Sequence, residues 1–160
     1  MALDPQHIAA LYDAILDKAR ALKLFQGGIT GAESDNPPGQ GAALALILGP
    51  LSALPRASGL AETSCRLEFT VRITMPRTKK TPEEVDRALL YASVTLINAF
   101  SSDFELTNVP DNLVRNIDLL GAYGQALGMH PGWLTEGEVR YRVADITLPV
   151  ILNDTFAQAV

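Results

Sequence analysis

At 160 residues the chain fits one domain over residues 1–160, long enough to remove roughly two-thirds of its unfolded surface from water without a disulfide or metal staple. It is 48% hydrophobic and only 19% charged, below the roughly 25% usual for a soluble domain, which reserves surface for partners. The net charge of −5 argues against a general nucleic-acid binder, whose domain is normally basic.

The charge is uneven. Between Cys65 and Lys80 stand Arg66, Arg72, Arg77, Lys79 and Lys80 against the lone Glu68, so this segment carries about +4 and the remainder about −9. A single cysteine makes no intrachain disulfide and gives no sign of an oxidising compartment. The opening MALDPQHIAAL lacks a basic stretch followed by an apolar one, and no segment reaches the roughly 18 apolar residues of a membrane span. The expectation is a soluble protein that folds in the cytoplasm and engages no membrane.

Asp4 as N-cap and Pro5 at the first helical position open a helix whose stripe is Ile8, Leu11, Tyr12, Ile15, Ala19 and Leu22, ended by Gly27 and Gly28. Residues 27–41 are dense in glycine, proline and short polar residues and read as a loop. Ala43 to Leu48 read as a buried strand broken by Gly49, Pro50 and Pro55. From Cys65 to Met75 the alternation is unbroken, with Cys65, Leu67, Phe69, Val71, Ile73 and Met75 on one face and Arg66, Glu68, Thr70, Arg72 and Thr74 on the other. A strand of that length is expected to project beyond its own core or to cross to a neighbour.

Thr81 with Glu84 makes a capping box, with Pro82 at N1, for a second helix that buries Val85, Leu89, Ala92, Leu96 and Phe100. After it come a short strand near Phe104–Leu106, a turn at Pro110–Asn112, a strand over Leu113–Leu119, a glycine-rich connection through Gly121, Gly124, Gly128 and Gly132, and a closing strand. The order α-β-β-α-β-β-β, without regular βαβ alternation, predicts an α+β fold: a largely antiparallel (mixed) sheet flanked by two main helices.

No catalytic, cofactor or metal signature stands out. His7 and His130 are far apart, no zinc spacing exists, and the parity of Cys65 makes it a buried thiol in place of a nucleophile. GGITG lacks the lysine and hydroxyl residue of a phosphate loop. Glu83 and Glu84 serve a helix start, and Glu136 and Glu138 flank Gly137 in a turn. The basic row of the long strand reads first as a solvated face, with a partner's carboxylates or phosphates as the other use.

The stretches DPQHIAALYDAILDKARALKLF, ASGLAETSCRLEFTVRI, RNIDLLGAYGQALG and GEVRYRVADITLPVILND resemble small tail proteins of actinobacterial siphophages and prophages, of the tail terminator or tail completion type. The resemblance covers most of the chain, excepting the loops near Asn36 and Met129. It implies a virion structural protein and no enzyme: a homo-oligomeric, hexameric ring at the head-proximal end of the tail. Such a ring stops tube polymerisation and presents a head-tail joining surface. Its implied partners are other copies, the tail tube protein and a head completion or connector protein, with transient contact to passing DNA.

Other readings stay open. One is a head-tail connector or minor tail protein. Another is a ligand-binding or enzymatic domain with a cleft near Tyr123, His130 and Trp133; a third is direct DNA binding by Arg66, Arg72, Lys79 and Lys80.

The closing stretch RYRVADITLPVILND begins with one wet face and turns almost wholly apolar while retaining Asp145 and Pro149. Its wet and dry faces exchange near Val143–Asp145, which predicts a β-bulge there or entry into a second apolar environment. Pro149 suits an edge, and an apolar edge suits a protein that assembles. Leu148, Pro149 and Val150 therefore join Arg66, Arg72, Arg77, Lys79 and Lys80 as candidate subunit or partner contacts. On that reading Leu148→Asp or Val150→Asp weakens assembly more than helix content, and equal loss of both marks ordinary core.

Overall fold

The computed structural model describes residues 3–33, 41–55, 62–76 and 80–157. Arg77, Lys79 and the loop near Asn36 lie outside them. The elements run α1 (Pro5–Leu22), β1 (Gly28–Thr30), β2 (Ala43–Ala53), β3 (Glu62–Met75), α2 (Pro82–Ser102), β4 (Val114–Ile117), β5 (Gly128–Glu136) and β6 (Val139–Ala157). The fold is α+β: two helices and a six-stranded mixed sheet in the order β1-β2-β3-β6-β4, with β5 also paired to β6. Every pairing is antiparallel except β1 with β2.

Both helices begin where their caps require. The Asp4 side chain accepts from the His7 amide at 2.8 Å. Thr81 and Glu84 exchange both bonds of a capping box. α1 ends at Lys23 in the left-handed region, before the glycines expected to stop it. Each helix turns its apolar stripe onto one sheet face, where Leu11, Ile15, Val85, Leu89, Leu96 and Phe100 meet Phe69, Val71, Ile73, Ile146, Leu148 and Val150 in one core. Tyr12 sets its ring edge against Phe69 at 5.4 Å between centroids.

Several local expectations are corrected. Gly49 and Pro50 do not end β2; the register slips between Leu48 and Leu51, and that bulge carries both. Only glycine fits at 49, since a Cβ there would stand 2.0 Å from the Glu68 carbonyl oxygen. Phe104–Leu106 is a tight turn in place of a strand, with Leu106 at φ 48 and its amide bonded to the Asp103 carbonyl. The glycine-rich connection contains β5, which turns into β6 through Gly137 at φ 61, the value a II′ hairpin asks of its first central residue. The expected loop of residues 27–41 holds the short β1.

β3 does not leave its own sheet. β6 is longer still, and the two pair from Glu62↔Ala157 to Met75↔Arg142. Their ladder is continuous past Val143–Asp145, so the expected bulge is absent there; the register shift comes later, opposite Thr63–Cys65, where Asp154 takes φ 46.

β6 is also not an edge. β3 lines one flank, while β5 covers Val139–Thr147 and β4 covers Val150–Leu152 of the other. Pro149 sits at the seam between β5 and β4, where only its carbonyl is used, accepting from the Asp118 amide at 2.9 Å. A residue with no N–H costs nothing at a seam that has no acceptor to feed. Leu148 and Val150 are 0% exposed and belong to the core. The expectation of an edge contact through Leu148, Pro149 and Val150 is thereby corrected.

Candidate functional site

The sheet face turned away from the helices carries the chain's main polar constellation. Strand parity places Arg66, Glu68, Thr70, Arg72 and Thr74 there, directly across from Ile151, Pro149, Thr147, Asp145 and Val143. Arg72 thus meets Asp145 as a cross-strand pair, its Nε 2.8 Å from Oδ1 and Nη2 3.1 Å from Oδ2. Glu33 adds a third carboxylate contact at 3.1 Å. The Asp145 hydrogen bond, opposed by partial burial and aided by the charges of Asp145 and Glu33, holds the Arg72 guanidinium above its already high ordinary value. The aspartate that looked misplaced in an apolar strand is the acceptor for this fork.

Arg66 is more deeply enclosed, its side chain 8% exposed. Its Nη1 donates to Glu68 at 2.5 Å, its Nη2 donates to the Gln125 carbonyl, and its Nε lies 3.6 Å from Asp118 Oδ2. Asp118, 5% exposed at its side chain, also accepts from the amides of Ala122 and Tyr123 at 2.8 and 3.0 Å. These bonds hold the segment between β4 and β5, residues 118–127, against Arg66 on the second sheet face. The fit is close: a Cβ at Gly124 would lie 2.8 Å from Arg66 Cζ.

The basic row is therefore spent on this chain's own carboxylates. Arg66 and Arg72 present no free guanidinium for a partner's acids or for phosphates, which corrects the reading of a solvated or DNA-facing row. Lys80 is exposed beside the start of α2 and, with Pro82, Val85, Trp133 and Arg142, lines a small hollow of 70 Å³. There the guanidinium carbons of Arg140 and Arg142 stand 4.6 and 4.8 Å from the Trp133 ring centroid, and Arg142 pairs with Asp86 at 2.8 Å.

Among the hollows lined by described residues, none brings together Tyr123, His130 and Trp133. His130 borders a surface hollow of 350 Å³ with Gln125 to Met129, whereas Trp133 borders the separate one beside α2. Among the described residues there is no group of three or more His, Cys, Asp or Glu placed to hold a metal ion. None of the helices among them is long and apolar enough to cross a membrane. Cys65 is buried, its thiol pushed up by desolvation and held 3.1 Å from Thr155 Oγ1.

Sequence reasoning missed Asp118, Gln125 and Glu33. Asp118 stood inside the strand predicted over Leu113–Leu119. The larger surface signal is apolar. Leu90, Tyr91 and Val94 are exposed on α2, and Leu120 and Tyr123 are exposed on the 118–127 segment.

No protein-family model matches the chain, and no curated protein does. Among solved structures it is similar to a sheath/tube terminator of an extracellular contractile injection system in the extended state. That match is 14% identical, with a TM-score of 0.43, over 100% of this chain and 62% of the other. It is also similar to a chain of the virion of a native gene transfer agent particle, 14% identical with a TM-score of 0.39, over 94% of this chain and 100% of that one. The chain thus spans 62% of the length of the first.

Proposed function

We propose that the chain is a non-enzymatic structural subunit of a phage-type tail, of the terminator kind. It forms a homo-oligomeric ring of about six copies on the head-proximal end of the tail tube, stops tube growth and offers the surface for a head completion or connector protein. The observation that carries the reading joins sequence to structure. The four stretches that resemble tail terminator proteins, scattered along the chain, become α1, β3, β4 with its following loop, and β6. They meet as one unit: β6 pairs with both β3 and β4, and Arg66 of the second stretch reaches Asp118 and Gln125 of the third. A resemblance that followed composition alone would have no reason to select segments that touch. The exposed apolar residues of α2 and of the loop add the uncharged surface that an assembling subunit needs.

In this reading Arg77, Lys79 and Lys80 remain the basic residues for contact with a neighbour or with passing DNA. Assembly takes place in the host cytoplasm, and the finished location is the virion tail. The test is solution mass followed by mixing with tail-tube protein. A mass near six chains and shortened tubes are expected; a monomer at about tens of micromolar, or tubes of unaltered length, removes the terminator role.

A further inference from the structure

A surplus of cations stands at one end of the sheet. β6 runs past its last pairing with β3, Met75↔Arg142, so residues 139–141 pair with β5 alone. On this two-stranded tip Trp133 lies opposite Arg142, and Thr135 lies opposite Arg140. Both guanidinium carbons stand over the Trp133 ring, Arg140 at 4.6 Å and Arg142 at 4.8 Å from its centroid. The indole braces two cations side by side. Lys80 joins them where it lines, with Pro82, Val85, Trp133 and Arg142, the 70 Å³ hollow at the start of α2.

The acids of the first turns of α2 are already engaged. Glu83 pairs with Arg87 at 2.6 Å, Glu84 accepts from the Thr81 amide at 2.9 Å, and Asp86 takes Arg142 Nε at 2.8 Å. Arg142 Nη1 donates to the Gly132 carbonyl at 3.2 Å, which leaves its Nη2. Among the described residues neither Lys80 nor Arg140 has a carboxylate partner, in contrast to Arg66 and Arg72. On a chain of net charge −5 this corner keeps a local excess of positive charge.

Three cations around one hollow call for an anion, and the geometry selects its kind. A carboxylate has two oxygens and one charge, and Asp86 already supplies one for Arg142. A phosphate has more oxygens and more charge, and accepts donors arriving from Lys80, Arg140 and Arg142 together. At 70 Å³ the hollow is far below the roughly 300–1,000 Å³ of a pocket that encloses a small molecule. It seats one group and leaves the rest of the bearer in water. The start of α2, whose Pro82 and Val85 form part of the wall, adds the positive end of its dipole.

We propose that this hollow is a phosphate site, in which Lys80, Arg140 and Arg142 hold the phosphate and Trp133 braces the two arginines. The inference gives Lys80 a defined ligand chemistry, and it does not rest on ring formation.

Trp133 is the only tryptophan of the chain and is 48% exposed, so its fluorescence reads the site directly. The test titrates the full chain with sodium phosphate, with a short duplex DNA and with polyglutamate at matched ionic strength. Phosphate should give a saturable change, which the double variant Lys80→Gln/Arg140→Gln weakens about tenfold. Both side chains are exposed, and far-UV circular dichroism checks that the variant keeps its fold. Lys23→Gln, at an exposed lysine ending α1, should bind as the unmodified chain does. Saturation by DNA, with affinity falling as salt rises, assigns the phosphate to a nucleic-acid backbone. Saturation by phosphate alone keeps the site and assigns it to free phosphate. No saturable response to either, an equal response to polyglutamate, an affinity untouched in the double variant, or an equal loss in Lys23→Gln overturns the site. A monomer that binds phosphate would end the ring reading and keep this one, and a ring that does not bind would do the reverse.

Discussion

The two faces of one sheet have solved opposite problems. The helix-side face is continuous hydrocarbon, in which Phe69, Val71, Ile73, Ile146, Leu148 and Val150 lie beneath α1 and α2 at no more than 1% exposure. The far face buries ions. Arg66, Glu68 and Asp118 sit there with a loop folded over them, and Arg72 faces Asp145. Hydrocarbon burial stabilises in proportion to area and fixes little else. Buried ions return at most a small net gain after desolvation, but removing one partner is costly and only one arrangement satisfies them. The first face supplies stability, and the second supplies a defined shape for the 118–127 loop.

The sharpest way to break this contrast is Leu148→Asp. An unpaired carboxylate in the helix-side core should cost more than about 4 kcal/mol, enough to unfold a domain of ordinary stability. Far-UV circular dichroism and solution mass should therefore fail together, and assembly lost with helix content intact would restore the edge-contact reading of β6.

Next comes Arg66→Ala, which strands Asp118 and Glu68 beneath the loop and should cost about 3 kcal/mol in urea unfolding. Adding Glu68→Gln, which removes a stranded charge whose hydrogen bond came from Arg66 itself, should return part of that loss. A double variant no better than the single one would show that charge pairing is not what Arg66 supplies.

Gly124→Ala tests the loop seat alone. Its new Cβ presses on a guanidinium held by three partners, so about 1–3 kcal/mol is expected. An unchanged midpoint would mean that the loop lifts away freely.

Arg72→Ala should matter less, about 1 kcal/mol, because its side chain is 21% exposed and water replaces part of what is lost. A loss equal to that of Arg66→Ala would erase the distinction between the enclosed and open halves of the far face.

The smallest effect is a pH dependence on the helical side. Burial alone would raise the Asp103 carboxyl, but Lys18 at 2.7 Å and the Thr107 amide outweigh it, and the group titrates below its ordinary value. A carboxylate lowered on folding stabilises above its unfolded value, near pH 4, and that contribution is lost as pH falls through the folded value. Lys18→Met should flatten this part of the stability-pH curve. An identical curve in the variant would assign the acid sensitivity to other groups.

Much of the helix-side half was legible in the sequence because its signals are periodic and local. Asp4-Pro5 and Thr81-Pro82-Glu83-Glu84 mark helix starts that the caps confirm, and the parity of Cys65 to Met75 names the core face of β3 residue by residue. Strand β5 was hidden because Gly128, Pro131 and Gly132 read as breakers, and only its partner β6 makes that stretch extended. The candidate site was less legible still. Arg66, Arg72 and Lys80 were singled out by charge, but charge along one strand does not say whether the answering carboxylates come from another molecule or from Asp118 and Asp145, 52 and 73 positions later.

What the sequence determined by itself is what nearest neighbours can encode: where helices start, which face of each element is apolar, and that no familiar catalytic or metal signature is present. Tertiary structure alone decided the role of RYRVADITLPVILND. Its strand has β3 on one flank and two strands in succession on the other, which makes Pro149 a seam, Asp145 a cross-strand acceptor, and Leu148 and Val150 core. The physical reason is that a side chain's environment in a sheet is set by pairing, and pairing joins residues far apart in the chain whose order along it carries no record of the partner.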